Sequence, residues 1–157
     1  MKNEILFSEM ILLKEDLKLY WGDALKSIVL IGSRVKGNNE PESDLDVIII
    51  SDNFPVLKPA RFKFLLPYLK KYAELMRYAS FILLPTERSY SIKPFYLGAL
   101  DGFKIIYDRE DFFSKIIKKI QHRLKELGSY KQTDPMGNEY WVLIPDDKYK
   151  TSMRVVI

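Results

Sequence analysis

At 157 residues, with 47% hydrophobic and 29% charged side chains, the chain has the size and make-up of one soluble globular domain. No stretch approaches the roughly 20 apolar residues of a bilayer-spanning helix, and the N-terminus MKNEILFSEM lacks the pattern of a secretory signal, so a cytoplasmic protein is expected. There is no cysteine and only one histidine, His122, which excludes disulfides, thiolate zinc sites and cysteine nucleophiles, while the net charge of +4 suits an anionic partner without naming one.

In chain order, Leu6, Met10, Leu13, Leu17 and Tyr20 recur at helical spacing over residues 4–20, and Gly22 marks the stop. SIVLIG (27–32) and DVIIIS (46–51) are short aliphatic runs bounded by turn residues, which predicts two strands buried on both faces. Phe62, Leu65, Leu66, Leu69, Tyr72 and Met76 outline helical material in which Pro67 predicts a kink or two short helices. SFILL (80–84) predicts a third strand closed by Pro85, PFYLGAL a short helix, and FKIIYD (103–108) a fourth strand. Asp108 and Asp111 together predict a cap for a helix that runs to Leu127 and stops at Gly128. His122 falls on the solvated side of that helix and reads as a surface residue. GSYKQTDPMGN (128–138) reads as a loop, leading to YWVLIP and RVVI, two β-prone stretches suited to a terminal hairpin or to docking on a neighbour. The order α-β-β-α-β-α-β-α predicts an α/β fold.

Chemistry concentrates in IGSRVKGNNEPESDLDVIII (31–50). A glycine ending a strand lets the backbone turn sharply and approach a ligand, and a serine at a following helix start can cap it. Gly32 and Ser33 could therefore seat phosphate on free amides, with Arg34 and Lys36 adding positive charge. By itself a Gly-Ser of this kind is an ordinary turn at least as often. Asp44 and Asp46 lie two apart, so their carboxylates share one strand face within about 7 Å and repel. A hard divalent cation, with magnesium the natural choice, accounts for both. The bland alternative, a turn cap plus a lysine pair, is about as common for an isolated Asp-x-Asp.

The whole constellation is more specific than its parts. GSRVKGNNEPESDLDV resembles the DNA polymerase beta nucleotidyltransferase superfamily, and in particular its minimal, MNT-type members; PFYLGALDGFKIIYDREDF is similar to that family's later strand and helix. The resemblance covers residues 25–127 and implies a mixed β-sheet flanked by helices, in a nucleotidyltransferase domain over 1–128; the tail exceeds the family's smallest members, and its alternation of aromatic and aliphatic residues predicts an ordered β-prone extension over 129–157 that buries Trp141. It implies that Gly32 and Ser33 hold the β- and γ-phosphates of a nucleoside triphosphate, ATP by preference, and that Asp44 and Asp46 hold magnesium. The implied reaction transfers a nucleoside monophosphate to a protein or RNA hydroxyl, with pyrophosphate leaving, and needs neither histidine nor cysteine. A helical HEPN-type partner, as in toxin–antitoxin pairs, is implied as well.

One departure stands out. Where the family carries a third carboxylate, at the start of the next strand, this chain has Ser80; Glu74 and Glu87 are the nearby substitutes. The rival reading is accordingly a non-catalytic nucleotide-binding or antitoxin-like module. Nucleic-acid binding through the lysine-rich helix around Ile117–Lys125, with Tyr130, Tyr140 and Trp141 stacking, is the less favoured third reading, because such lysines commonly form a solvated face.

Overall fold

A computed structural model describes residues 2–32 and 45–144. Helix α1 (Lys2–Trp21) leads into β1 (Leu25–Ile31), and β2 (Leu45–Ser51) returns antiparallel to it. Helices α2 (Lys58–Leu69) and α3 (Ala73–Tyr78) cross over to β3 (Ala79–Pro85), parallel to β2; α4 (Pro94–Ala99), β4 (Lys104–Asp108) and α5 (Phe112–Leu127) follow. The result is a mixed four-stranded sheet in the order β3-β2-β1-β4, flanked by helices, as the sequence predicts.

Strand alternation explains the two layers. Leu25, Ile28, Leu30, Leu45, Val47 and Ile49 join Leu6, Met10, Leu13 and Leu17 of α1 and Leu65, Leu69 and Leu75 of α2 and α3 in one core. Val29, Ile31, Ile48, Ile50 and Leu84 face the other way, against Tyr96 and Ala99 of α4 and Phe113, Ile116, Ile117 and Ile120 of α5. The central strands β1 and β2 are thus buried on both sides, which is why they read as unbroken aliphatic runs.

The helical crossover breaks in a different place from the proline. Pro67 lies inside α2, and the break falls at Lys70–Tyr72, where Tyr72 begins α3 in a non-helical conformation. The apolar stripe is also rotated: Arg61, Leu65 and Leu69 are buried, while Phe62 and Met76 are exposed. Asp16 ties this junction to α1 by accepting the Tyr72 hydroxyl and pairing with Lys71 at 2.8 Å. The Lys71 and Tyr72 hydrogen bonds hold the Asp16 carboxyl below the usual aspartate range. A depressed carboxyl stabilises the fold fully above the unfolded value of about 4 and loses that contribution as pH falls through its lower folded value. Asp16→Asn is therefore expected to be less stable by roughly 1 kcal/mol near neutral pH. Denaturant titrations should show the difference shrinking below about pH 4; a difference independent of pH would contradict the pairing.

Capping of α5 differs in part from the expected pair. Asp108 accepts the Ser27 hydroxyl at 2.7 Å and the Phe113 amide at 2.7 Å with one oxygen, and the Ser114 amide and hydroxyl with the other. Asp111 makes no capping bond; it and Glu110 instead take the left-handed conformation that turns the chain into the helix. Gly128, also left-handed, ends it.

Beyond α5, β5 (Tyr130–Thr133) pairs antiparallel with β6 (Glu139–Val142) as a separate hairpin. Its first strand falls in the segment that reads as loop, and RVVI lies outside the described residues. Asp134 builds the turn by accepting the Met136 and Asn138 amides, and Trp141 and Leu143 pack on the α4–α5 core.

Candidate functional site at the sheet end

The site is built from the end of β1 and the starts of β2 and β3. In the sheet register Ile31 faces Asp46 and Asp46 faces Ser80, so the three residues form one row across adjacent strands. Asp46 and Ser80 lie in step with Ile48 and Ile82, which places both on the α4–α5 face, beyond the edge of that core. Neighbouring strands are about 4.8 Å apart, so Ser80 is the immediate lateral neighbour of Asp46.

Just past Ile31 the chain turns at Gly32, with φ +99°, a conformation that side-chain-bearing residues rarely adopt. A Cβ at this position would stand 2.8 Å from Oδ2 of Asp46, inside van der Waals contact. The absence of a side chain at Gly32 is therefore what lets the Asp46 carboxylate lie over the turn. Sequence reasoning assigns Gly32 to the ligand; the fold adds that it also makes room for the acid.

Asp46 and Gly32 are thus brought together, with Ser80 beside them. Ser33, Arg34, Lys36 and Asp44 lie outside the described residues. Of the two substitutes for a third acid, Glu87 follows the far end of β3, and five residues of strand separate Pro85 from Ser80, about 16 Å. It is too distant to serve Asp46. Glu74 is in the first turn of α3, whose Leu75 and Tyr78 belong to the opposite core. Among the described residues no group of three His, Asp or Glu side chains is placed to hold a metal ion. The hard carboxylate oxygens of Asp46, seated against the glycine, nevertheless suit magnesium, with Asp44 as the second donor the sequence offers.

His122 is exposed and pairs with Glu126 at 2.8 Å. On the lysine-rich face Lys115, Lys118 and Lys119 are exposed; Tyr130 and Tyr140 are too, while Trp141 is partly packed. Sequence reasoning passes over a different group, Lys58, Arg61, Arg88 and Lys93, which line a common cavity beside β3. They are scattered over 36 positions of chain, and no spacing marks them.

Against known proteins, a family model described as a nucleotidyltransferase domain matches residues 10–126. Over 115 residues the chain is 33% identical to a protein of Methanocaldococcus jannaschii provisionally named a protein adenylyltransferase, covering 70% of this chain and 77% of that protein. Among solved structures it is similar to a toxin–antitoxin structure with AMP-PNP, at a TM-score of 0.48 and 19% identity over 75% of this chain and 92% of that one. It is also similar to a chain in the complex of a tri-AMPylated Shewanella oneidensis HEPN toxin with an MNT antitoxin, at a TM-score of 0.47 and 17% identity over 82% and 93%. The family model spans most of the chain and the Methanocaldococcus relative matches over most of its length, so the resemblance carried by the Gly-Ser and Asp-x-Asp elements is borne out: the chain belongs to the nucleotidyltransferase domain family, a family of enzymes.

Proposed function

We propose that the protein transfers AMP from magnesium-bound ATP to a hydroxyl of a protein acceptor. The observation that carries this reading is the seating of the Asp46 carboxylate on the side-chain-free turn at Gly32, in register with Ser80. In this reading Gly32 and Ser33 receive the β- and γ-phosphates, Arg34 and Lys36 add positive charge, and Asp44 and Asp46 hold magnesium. Magnesium, when bound, neutralises phosphate charge and lowers the pKa of the attacking hydroxyl. The acceptor oxygen bonds to the α-phosphorus, the bond from that phosphorus to the β-bridging oxygen breaks, pyrophosphate leaves, and the hydroxyl proton passes to solvent. The domain lies within 1–128, with 129–157 as an appended element. The preference for a protein over RNA draws on the name of the Methanocaldococcus relative, and the HEPN-type partner on the MNT-like motif. Cytoplasmic localisation completes the reading.

Purified protein given α-labelled ATP and magnesium in an extract of its own cells should label a protein band that survives nuclease and disappears with protease. Nuclease-sensitive label would move the acceptor to RNA; no label at all would favour the second reading, a nucleotide-binding module without turnover. The observation on that side is Ser80, which occupies the lateral position where a third carboxylate would complete the site.

Gly32→Val tests the seat itself. The branched side chain would collide with Asp46 and force an unfavourable φ, at about 1–3 kcal/mol of backbone strain. The folded variant is expected to lose ATP affinity by roughly tenfold or more, measured by calorimetry. Wild-type affinity in a folded Gly32→Val protein would remove Gly32 from the site.

A further inference from the structure

Strand β3 is the edge of the described sheet, with β2 on its inner side. A cavity of about 370 Å3 straddles its outer side, lined by Phe81, Ile82, Leu83 and Leu84 of the strand. Lys58, Arg61 and Phe62 border it from α2 in one layer, and Arg88, Lys93 and Phe95 from the segment leading into α4 in the other. Among the described residues of this lining the four ionisable ones are all cations.

Arg61 makes the imbalance acute. It is 6% exposed, and its three nitrogens donate to the carbonyls of Pro55, Leu83 and Val56, which carry no charge. Burial first, and the positive charge of Arg88 second, lower its pKa, the sense expected for a cation facing other cations. A buried charge whose acceptors among the described residues are all neutral is electrostatically incomplete, and an anion in the cavity would complete it.

We propose that this cleft receives the acceptor as an extended acidic polypeptide segment laid along β3, presenting its hydroxyl at Ser80. The inference rests on the reading of the protein as an AMP transferase with a protein acceptor. Ser80 directly precedes Phe81, so the cleft begins where the row of Gly32, Asp46 and Ser80 ends. Phe81 to Leu84 spans about 10 Å, the length of three or four extended residues. The bond from Arg61 to the Leu83 carbonyl shows that Leu83 turns its backbone away from β2, and strand alternation turns Phe81 the same way. The Leu83 carbonyl already accepts from Arg61, so a peptide backbone would pair at Phe81, and nucleic acid has no equivalent backbone ladder. Lysine and arginine on both rims then select for aspartate and glutamate beside the acceptor hydroxyl. The chain's own C-terminal segment, PDDKYKTSMRVVI, carries more basic than acidic residues and does not supply that charge.

The test is fluorescence polarisation without ATP, using a labelled peptide with a central tyrosine and two acidic residues on each side. Its comparators are the same peptide with Asn and Gln in place of Asp and Glu, and a short single-stranded RNA. The acidic peptide should bind at least about tenfold more tightly than the neutral one, with affinity falling as salt rises. Lys58→Glu with Arg88→Glu, both at exposed positions, should weaken it by roughly tenfold or more while ATP binding stays at the wild-type level. Gly32→Val should leave peptide binding unchanged, which separates failure of the nucleotide site from failure of the cleft. Equal binding of the neutral peptide, indifference to the double reversal, or tighter binding of RNA through Lys58 and Arg88 would each overturn the proposal.

Discussion

Replacing Asp44 and Asp46 together by asparagine is expected to abolish the dependence of ATP binding on magnesium while leaving the protein folded. Asparagine preserves the shape of each side chain, and the β2 residues that pack the core are Leu45 and Val47–Ile50. The effect on binding should be large because an amide oxygen carries no net charge, and hard cations owe much of their affinity to carboxylates. Calorimetry with ATP in magnesium against ATP in chelator should show wild type gaining roughly a hundredfold from the metal, about 2.7 kcal/mol, and the variant gaining almost nothing. A variant that retains the metal-dependent gain would show that the Asp-x-Asp pair is structural.

Ser80→Asp is expected to raise nucleotide transfer by roughly tenfold or more while changing ATP affinity little. In the proposed site Asp44 and Asp46 would hold the metal that travels with the triphosphate, which phosphate oxygens also ligate. A second metal between acceptor and α-phosphate needs a carboxylate on the β3 side, and the register places residue 80 there. A new acid about 5 Å from Asp46 would repel it by up to about 3 kcal/mol at an effective dielectric of about 20, less at this exposed position. The variant should accordingly be less stable than wild type in chelator and recover in magnesium, a signature in melting temperature that does not depend on any acceptor. Brisk turnover by wild type, with Ser80→Asp silent and Glu74→Gln inactive, would place the third acid on Glu74.

The parts of this architecture that were legible in the sequence are those with a strong local period or a stereochemical requirement. The aliphatic runs of β1 and β2 could only be buried on both sides, and Gly128 could end α5 because the left-handed region is open to it. Gly32 and Asp46 stand out in the sequence as candidate site residues for the same reason: a strand-end glycine and a charged residue at the mouth of an aliphatic strand both demand an explanation, and the fold brings the two together. What stayed hidden depends on tertiary placement. Tyr130–Thr133 is exposed throughout and shows no alternation, because its strand identity comes from its partner β6. Arg61 sits where an apolar residue would be expected, and only the approach of the Pro55, Val56 and Leu83 carbonyls makes its burial tolerable. Asp111 looks like a cap in sequence, yet Asp108 has already taken the amides it would serve.

The row formed by Ile31, Asp46 and Ser80 has a bearing on how the molecule opens. Its members come from three adjacent strands, two of which are clamped between separate cores, and the third arrives only after the α2–α3 crossover. No contiguous fragment of the chain short of residues 31–80 contains the row, and fraying of one helix leaves the sheet that defines it in place. The seat exists only while these three strands stay paired, so its opening is tied to that of the sheet rather than to that of any one helix. A ligand held at the candidate site would be coupled to the amides of the central sheet, whereas the β5–β6 hairpin forms a sheet of its own.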